Sequence, residues 1–210
     1  CTIAWIAMSV QLLCMTGNSI VADEIELSTL NSVAGLFSSS GRWVTYDTPM
    51  DGIRDLFKMN KNWQARRGRP EFSCCSANAP RGFGLISDWA LMRDGNAIVL
   101  NYYGPCKIRV PIGSGVTVTF TQETDYPRKG EILLRVSPTK ATQFELKLRI
   151  PCWSANSRVK VNGQGIKNVR PGQYLRLARR WKRGDQVKIS LDLSNHCWVG
   201  EKQCKGKVSM

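Results

Sequence analysis

The feature that most constrains this chain is a change of hydrophobic period at Asp94-Gly95-Asn96. Before that point apolar residues recur at helical spacing. After it they alternate with polar ones, and a pattern of period 3.6 cannot lay one apolar face on a strand. The clearest run is 144–150, where Phe144, Leu146, Leu148 and Ile150 alternate with Glu145, Lys147 and Arg149; Val187, Ile189, Leu191 and Leu193 repeat the pattern. Runs at 97–103, 116–121, 131–136, 144–150, 158–161, 174–177 and 186–193 read as strands, separated by turn signals such as Asn162-Gly163 and Pro171-Gly172. Short strands at this spacing predict an antiparallel β-sandwich rather than a parallel sheet. The chain therefore divides into residues 1–95, helical, and 96–210, strand-rich, an α + β arrangement in more than one domain.

In the helical half, no charged residue precedes Asp23. A signal peptide or membrane helix would use such a stretch, but here there is no basic leading region. The apolar run is also broken by Ser9, Gln11, Thr16, Gly17 and Asn18, so no membrane span is expected. Ile3, Ala7, Val10 and Cys14 recur as the buried stripe of a helix ending near Gly17. A second helix is expected over 22–37 and a third over 81–92. Between them, 42–73 reads as a long excursion carrying the basic run Arg66-Arg67-Gly68-Arg69. Because the chain opens on Cys1 rather than Met, its natural start is expected upstream.

Lys and Arg number 30 against 16 Asp and Glu, a net charge of +14. Residues 1–95 are neutral, so the whole excess belongs to the strand-rich half. Lys147, Arg149, Arg176 and Lys188 occupy positions that alternate with apolar ones, which predicts solvated faces and edges. That placement is favoured over a nucleic-acid platform, which interleaves exposed aromatic side chains with its cations. The single histidine, His196, excludes Ser/His/Asp chemistry and multi-histidine metal sites.

The eight cysteines carry the most chemistry. Cys74 and Cys75 are adjacent, a geometry in which a mutual disulfide is strained, and two neighbouring thiols in a loop suit metal ligation or nucleophilic use. The run Cys74-Cys75-Ser76-Ala77-Asn78-Ala79-Pro80-Arg81 resembles the Cys-Cys-x-x-Asn-x-x-Arg signature of glycoside hydrolase family 127, the β-L-arabinofuranosidase group. Thr16-Gly17-Asn18, Ala22-Asp23, Glu26 and Asn31 are similar to that family's helix pattern. Tyr46-Asp47-Thr48-Pro49 and Gln122-Glu123-Thr124-Asp125-Tyr126-Pro127 resemble two more of its segments. Leu148-Arg149-Ile150-Pro151-Cys152-Trp153 and Val159-Lys160-Val161-Asn162-Gly163 complete the set.

The resemblance implies that residues 1–95 are the C-terminal helices of an (α/α)6 toroid and 96–210 a β-sandwich, each truncated at its outer end. It further implies a Zn²⁺ ion held by Cys1, Cys74, Cys75 and a glutamate upstream of this chain. Cys74 is then the nucleophile of a retaining glycosidase, with the acid/base glutamate also upstream. Tyr46 would lie near the sugar, while Asn78 and Arg81 would orient the cysteine segment. Trp43 and Trp63 are available to stack on a sugar or to pack. Cys14, Cys106 and Cys152 read as small core residues, and Cys197 and Cys204 as a disulfide if the compartment oxidises. The implied partner is an L-arabinofuranoside-like glycan, which leans toward a periplasmic or secreted location. The chain by itself is expected to be inactive and to hold zinc weakly. The competing reading is a non-catalytic basic sandwich that binds acidic polysaccharide or nucleic acid, with the cysteine pair incidental.

Overall fold

The computed structural model is α+β and describes residues 1–41, 44–45, 74–113 and 115–209. It forms two compact units. One comprises Cys1–Ile6, Leu27–Gly84 and Ser194–Met210; the other comprises Ala7–Glu26 and Leu85–Leu193.

In the second unit, most of α1 (Thr2–Thr16) is followed at once by α2 (Ser19–Leu27). Gly17, at φ +59°, donates its N–H to the Leu13 carbonyl and ends α1 in the left-handed conformation that glycine adopts without cost. Asn18 then accepts from the Ile20 N–H at 3.0 Å and caps α2. The buried face of α1 runs through Ile6, Ser9, Val10 and Leu13. This corrects the expected stripe, since Cys14 is exposed and Ile3 and Ala7 are half-buried. Spacings of three and four residues occur on both choices, so the period alone does not select between them.

After the short helix α4 (Ile86–Trp89), ten strands follow: β1 (Leu91–Asp94), β2 (Ala97–Leu100), β3 (Cys106–Pro111), β4 (Thr117–Thr124), β5 (Glu131–Pro138), β6 (Thr142–Ile150), β7 (Arg158–Val161), β8 (Gln164–Gly165), β9 (Gln173–Trp181) and β10 (Asp185–Ser190). They build a four-stranded sheet in the order β1-β2-β6-β9 and a six-stranded sheet in the order β3-β4-β5-β10-β7-β8. The alternation read in 144–150 holds, with Leu146, Leu148 and Ile150 wholly buried, each contributing about 1.5–3 kcal/mol relative to exposure. Phe120 of β4 meets Phe144 of β6 edge-on, ring centroids 6.3 Å apart, so the two sheets share apolar contacts.

Four expectations are corrected here. β2 pairs with β6 in parallel, so the pairing is not wholly antiparallel. The chain leaves the first sheet after β2, builds β3 to β5 in the second, and re-enters beside β2 in the same direction. Second, 81–92 is not one helix: Leu91–Asp94 is already strand, paired with Ala97–Leu100 across the Gly95-Asn96 turn. Third, strand β3 was not legible, because Lys107 and Arg109 flank Ile108 on an edge strand whose outer residues are mostly exposed.

The fourth correction concerns Arg149, expected on a solvated face and in fact fully buried. Helix α2 covers that part of the sheet and presents Asp23 and Glu26, three residues apart on one face. Arg149 donates through Nη1 to Asp23 Oδ1, through Nη2 to Glu26 Oε1 at 2.6 Å, and through Nε to the Asn101 carbonyl at 2.6 Å. The other Asp23 oxygen accepts from the Cys152 N–H at 2.9 Å. Tyr103 donates to the Arg149 carbonyl, and its ring centroid lies 5.6 Å from the guanidinium. Burial opposes the arginine charge, but Glu26 and then Asp23 outweigh it and hold the group protonated.

In the first unit, a π-helical turn, Ser28–Ala34, follows Leu27 without a gap. Helix α3 (Cys74–Gly84) packs on that turn. The second helix was expected to continue in α-geometry to residue 37; instead the extra residue per turn of the π-form intervenes, a feature frequent at functional sites. Two short paired strands, β11 (Trp198–Val199) and β12 (Val208–Ser209), complete the described residues of this unit. Among the described residues, no helix is long and apolar enough to cross a membrane.

Candidate active site

Cys74 and Cys75 open α3, so they stand in the first turn of a helix and not in a loop as expected. The first turn of a helix leaves backbone N–H groups without intrahelical partners, which favours negative charge there. Cys74 is exposed and Cys75 half-buried, with their Sγ atoms 3.9 Å apart. Asn78, one turn on, donates through Nδ2 to the Cys74 carbonyl at 2.7 Å; Arg81 donates through Nη1 to Asn78 Oδ1 at 2.9 Å. The signature residues Cys74, Asn78 and Arg81 therefore form a hydrogen-bonded ladder along α3.

Gly82 supports that ladder by allowing close approach. A Cβ built there would lie 2.7 Å from both Cγ atoms of Val33 in the π-turn and 2.9 Å from Ile3 Cδ1 at the start of α1. Phe83 meets Phe37, ring centroids 5.4 Å apart, on the same helix end.

Cys1 borders an open hollow of about 450 Å³ shared with Trp5 and, from the π-turn, Ser28, Asn31 and Ser32. Ser32 donates to Thr2 Oγ1 at 3.2 Å, tying the π-turn to the first turn of α1. With Gly82 against Ile3, Cys74 stands eight residues earlier on α3, about 12 Å along the helix axis at 1.5 Å per residue. Among the described residues no group of three or more His, Cys, Asp or Glu side chains gathers as a metal site. The cysteine pair alone fits two corners of one: two thiolates 2.3 Å from a tetrahedral zinc are about 3.8 Å apart. Tyr46, Trp43 and Trp63 lie outside the described residues.

The remaining cysteines are thiols in this structure. Cys14 and Cys152 are exposed rather than core residues: Cys14 lies off the buried face of α1, and Cys152 follows the end of β6. Burial of its sulfur, followed by the Asp23 carboxylate nearby, pushes Cys152 up to about 11. Cys106 is half-buried and is raised chiefly by burial. Cys197 and Cys204 are not joined.

Several cations of the strand-rich half face carboxylates: Arg135 pairs with Glu123, Lys147 with Asp94, Arg176 with Glu145 and Lys188 with Glu131. Exposed pairs of this kind contribute little to stability.

Two sequence models of one family match the chain in order. Residues 1–87 match the beta-L-arabinofuranosidase GH127 catalytic domain, and residues 97–193 match the GH127 middle domain. The chain belongs to glycoside hydrolase family 127. Its structure is similar to that of a glycoside hydrolase, with TM-score 0.83 and 24% identity over 99% of this chain and 35% of that one. It is also similar to a GH127 beta-L-arabinofuranosidase from Geobacillus stearothermophilus T6, with TM-score 0.78 and 24% identity over 96% of this chain and 32% of that one. A GH127 beta-arabinofuranosidase matches with TM-score 0.75 and 24% identity over 91% of this chain and 31% of that one. The family 127 chain thus spans about a third of the length of these structures. No curated protein sequence matches it significantly.

Proposed function

We propose that this chain is part of a retaining family 127 glycosidase acting on L-arabinofuranoside-like residues of a glycan, with Cys74 as nucleophile. On this reading residues 1–95 contribute the last helices of an (α/α)6 toroid and 96–210 an accessory β-sandwich. The observation that carries the proposal is the thiol pair at the open end of α3, Sγ atoms 3.9 Å apart, with Cys74 exposed.

Cys74 supplies the electron pair that attacks the anomeric carbon. The bond from that carbon to the leaving oxygen breaks, and the oxygen takes a proton from an acid outside this chain. A glycosyl thioether on Cys74 results, and water hydrolyses it with return of the proton. Asn78 and Arg81 position the nucleophile: Asn78 donates to the Cys74 carbonyl, and Arg81 holds the Asn78 side chain in that pose. Cys74 and Cys75 would hold two corners of a zinc site, with Cys1 as a further ligand. A bound Zn²⁺ keeps coordinating thiols deprotonated. Tyr46 is assigned to the sugar-binding side of the same site.

The test uses the complete enzyme with an aryl L-arabinofuranoside. Cys74→Ala abolishes turnover and the covalent glycosyl adduct seen by intact-mass spectrometry, while Asn78→Ala lowers kcat and leaves the adduct detectable. Full turnover by Cys74→Ala overturns the assignment.

A further inference from the structure

The outward face of the six-stranded sheet gathers cations in a pattern that strand alternation alone does not require. Alternate residues of β4, β5, β10 and β7 are buried, so the residues between them face out. The register sets Lys107 of β3, Thr121 of β4, Arg135 of β5 and Gln186 of β10 side by side in one row. The neighbouring row holds Glu123, Leu133, Lys188 and Lys160. Arg109 and Arg158 stand two residues along their strands from Lys107 and Lys160, on the same side. From β3 to β7 these cations cross four strand spacings, about 19 Å.

Two carboxylates share the face, and both are engaged. Arg135 holds Glu123 through Nε at 2.6 Å and Nη2 at 3.1 Å, and Lys188 holds Glu131 at 3.1 Å with Arg158 nearby. Lys107, Arg109 and Lys160 are exposed and form no salt bridge among the described residues. Edge protection accounts for Lys107 and Arg109, since a cation on an edge strand discourages further pairing. It does not account for Lys188 and Lys160, which lie directly opposite each other on the interior strands β10 and β7. Like charges at opposite positions destabilise a sheet. An anion seated between them replaces that repulsion with two attractions.

Beside Arg158 the face opens into a polar hollow of about 700 Å³, lined also by Glu131, Asn156, Ser157, Ser190 and Asp192. Its size is that of a ligand cleft, about 300–1,000 Å³. The Asp192 carboxylate there accepts from Asn156 Nδ2 at 2.7 Å. Among the described residues, no aromatic side chain stands at an outward position of these six strands. Single-stranded nucleic acid, whose bases stack on aromatic rings, therefore finds no platform. The face offers spaced cations and hydroxyl groups, the complement of a sugar polymer bearing spaced carboxylates. Its own carboxylates show the fit, Glu123 forked on Arg135 and Glu131 seated on Lys188.

We infer that this face is a second, non-catalytic binding surface, for a uronate-bearing polysaccharide whose carboxylates seat on Lys160 and Lys188 and on Lys107 and Arg109. It does not involve Cys74, so its test reads binding and not turnover.

The 210-residue chain is run by affinity electrophoresis through gels holding polygalacturonate, neutral arabinan or no polymer. Polygalacturonate alone retards it, and added salt weakens the retardation by screening exposed charges. A quadruple variant, Lys107→Gln, Arg109→Gln, Arg158→Gln and Lys160→Gln, binds about tenfold more weakly or worse, the scale of four exposed charge contacts. A control quadruple, Lys167→Gln, Arg170→Gln, Arg180→Gln and Arg183→Gln, removes the same charge from exposed positions outside the six strands and binds nearly as wild type. All eight positions are exposed, so both variants melt near the wild-type temperature. Equal weakening in the two quadruples makes the binding an effect of net charge and overturns the inference. So does a lack of retardation by polygalacturonate, or tighter binding to duplex DNA than to polygalacturonate at the same salt.

Discussion

Gly82→Ala sets two effects of known size against each other. In a helix interior, alanine is favoured over glycine by about 1 kcal/mol. The new methyl, however, would stand 2.7 Å from both Cγ atoms of Val33 and 2.9 Å from Ile3 Cδ1, where carbon atoms in good contact are about 3.5–4.0 Å apart. Val33 is fully buried and stiff about χ1, so it cannot turn aside. Overpacking of this kind costs about 1–3 kcal/mol, and three simultaneous overlaps place it at the upper end. The net loss is about 2 kcal/mol, a fall in Tm of roughly 4–8 °C for a chain of this size. Gly84→Ala, two residues on, is the internal control: nothing lies within 4 Å of its added Cβ, and it gains up to about 1 kcal/mol. Urea unfolding followed by circular dichroism at 222 nm measures both. Adding Val33→Ala to Gly82→Ala removes the two closest overlaps and leaves only that with Ile3, so the double variant should exceed the sum of its singles by about 1 kcal/mol or more. If Gly82→Ala is as stable as wild type, the packing of α3 on the π-turn is not as tight as described.

Gly130→Ala should cost about 3 kcal/mol or more, because its Cβ would fall 2.2 Å from the Leu191 carbonyl oxygen, which is backbone and cannot give way; the urea midpoint reports it. Cys152 holds its proton to about pH 11 in the folded chain, above the unfolded thiol near 8.5, so its contribution to stability is intact below about pH 8.5 and is lost as pH rises toward 11. Urea midpoints between pH 8 and 11 should therefore fall less steeply in Cys152→Ser than in wild type. Cys14→Ser, at an exposed position, should change stability by less than about 0.5 kcal/mol in the same assay. The 210-residue chain alone should show no hydrolysis of an aryl L-arabinofuranoside and should release zinc readily to a chelator, since a metal site gains affinity from a scaffold that holds its ligands together.

Much of the fold was legible because strand period and turn chemistry are local. Leu146, Leu148 and Ile150 point to the core as their alternation requires, and 158–161 is a strand with the expected bounds. The errors fall where local signals are degenerate. Met92 suits a helix or a strand, and only its pairing with Val99 made it strand. The thiols of Cys74 and Cys75 looked like loop residues because the helix they open contains Pro80, Gly82 and Gly84, poor helix formers in isolation. Gly82 owes its place to Val33, 49 positions away in sequence. In the candidate site, the Cys74, Asn78 and Arg81 spacing was readable because four- and three-residue steps lie on one helix face, whereas the hollow beside Cys1 was not, since it depends on the π-turn.

The sequence by itself determined the α + β composition, the membership in a family of glycosidases and the pair of thiols on which the proposed chemistry rests. Each is written in neighbours along the chain, as period, motif or adjacency. The tertiary structure alone decided what Arg149 is. On its strand it alternates with leucine and isoleucine, as any solvated cation would. Whether it meets water or carboxylates depends on Asp23 and Glu26, more than 120 residues earlier, lying over that face. Burial of a charge is settled by such long-range partners, because without them its desolvation would not be offset.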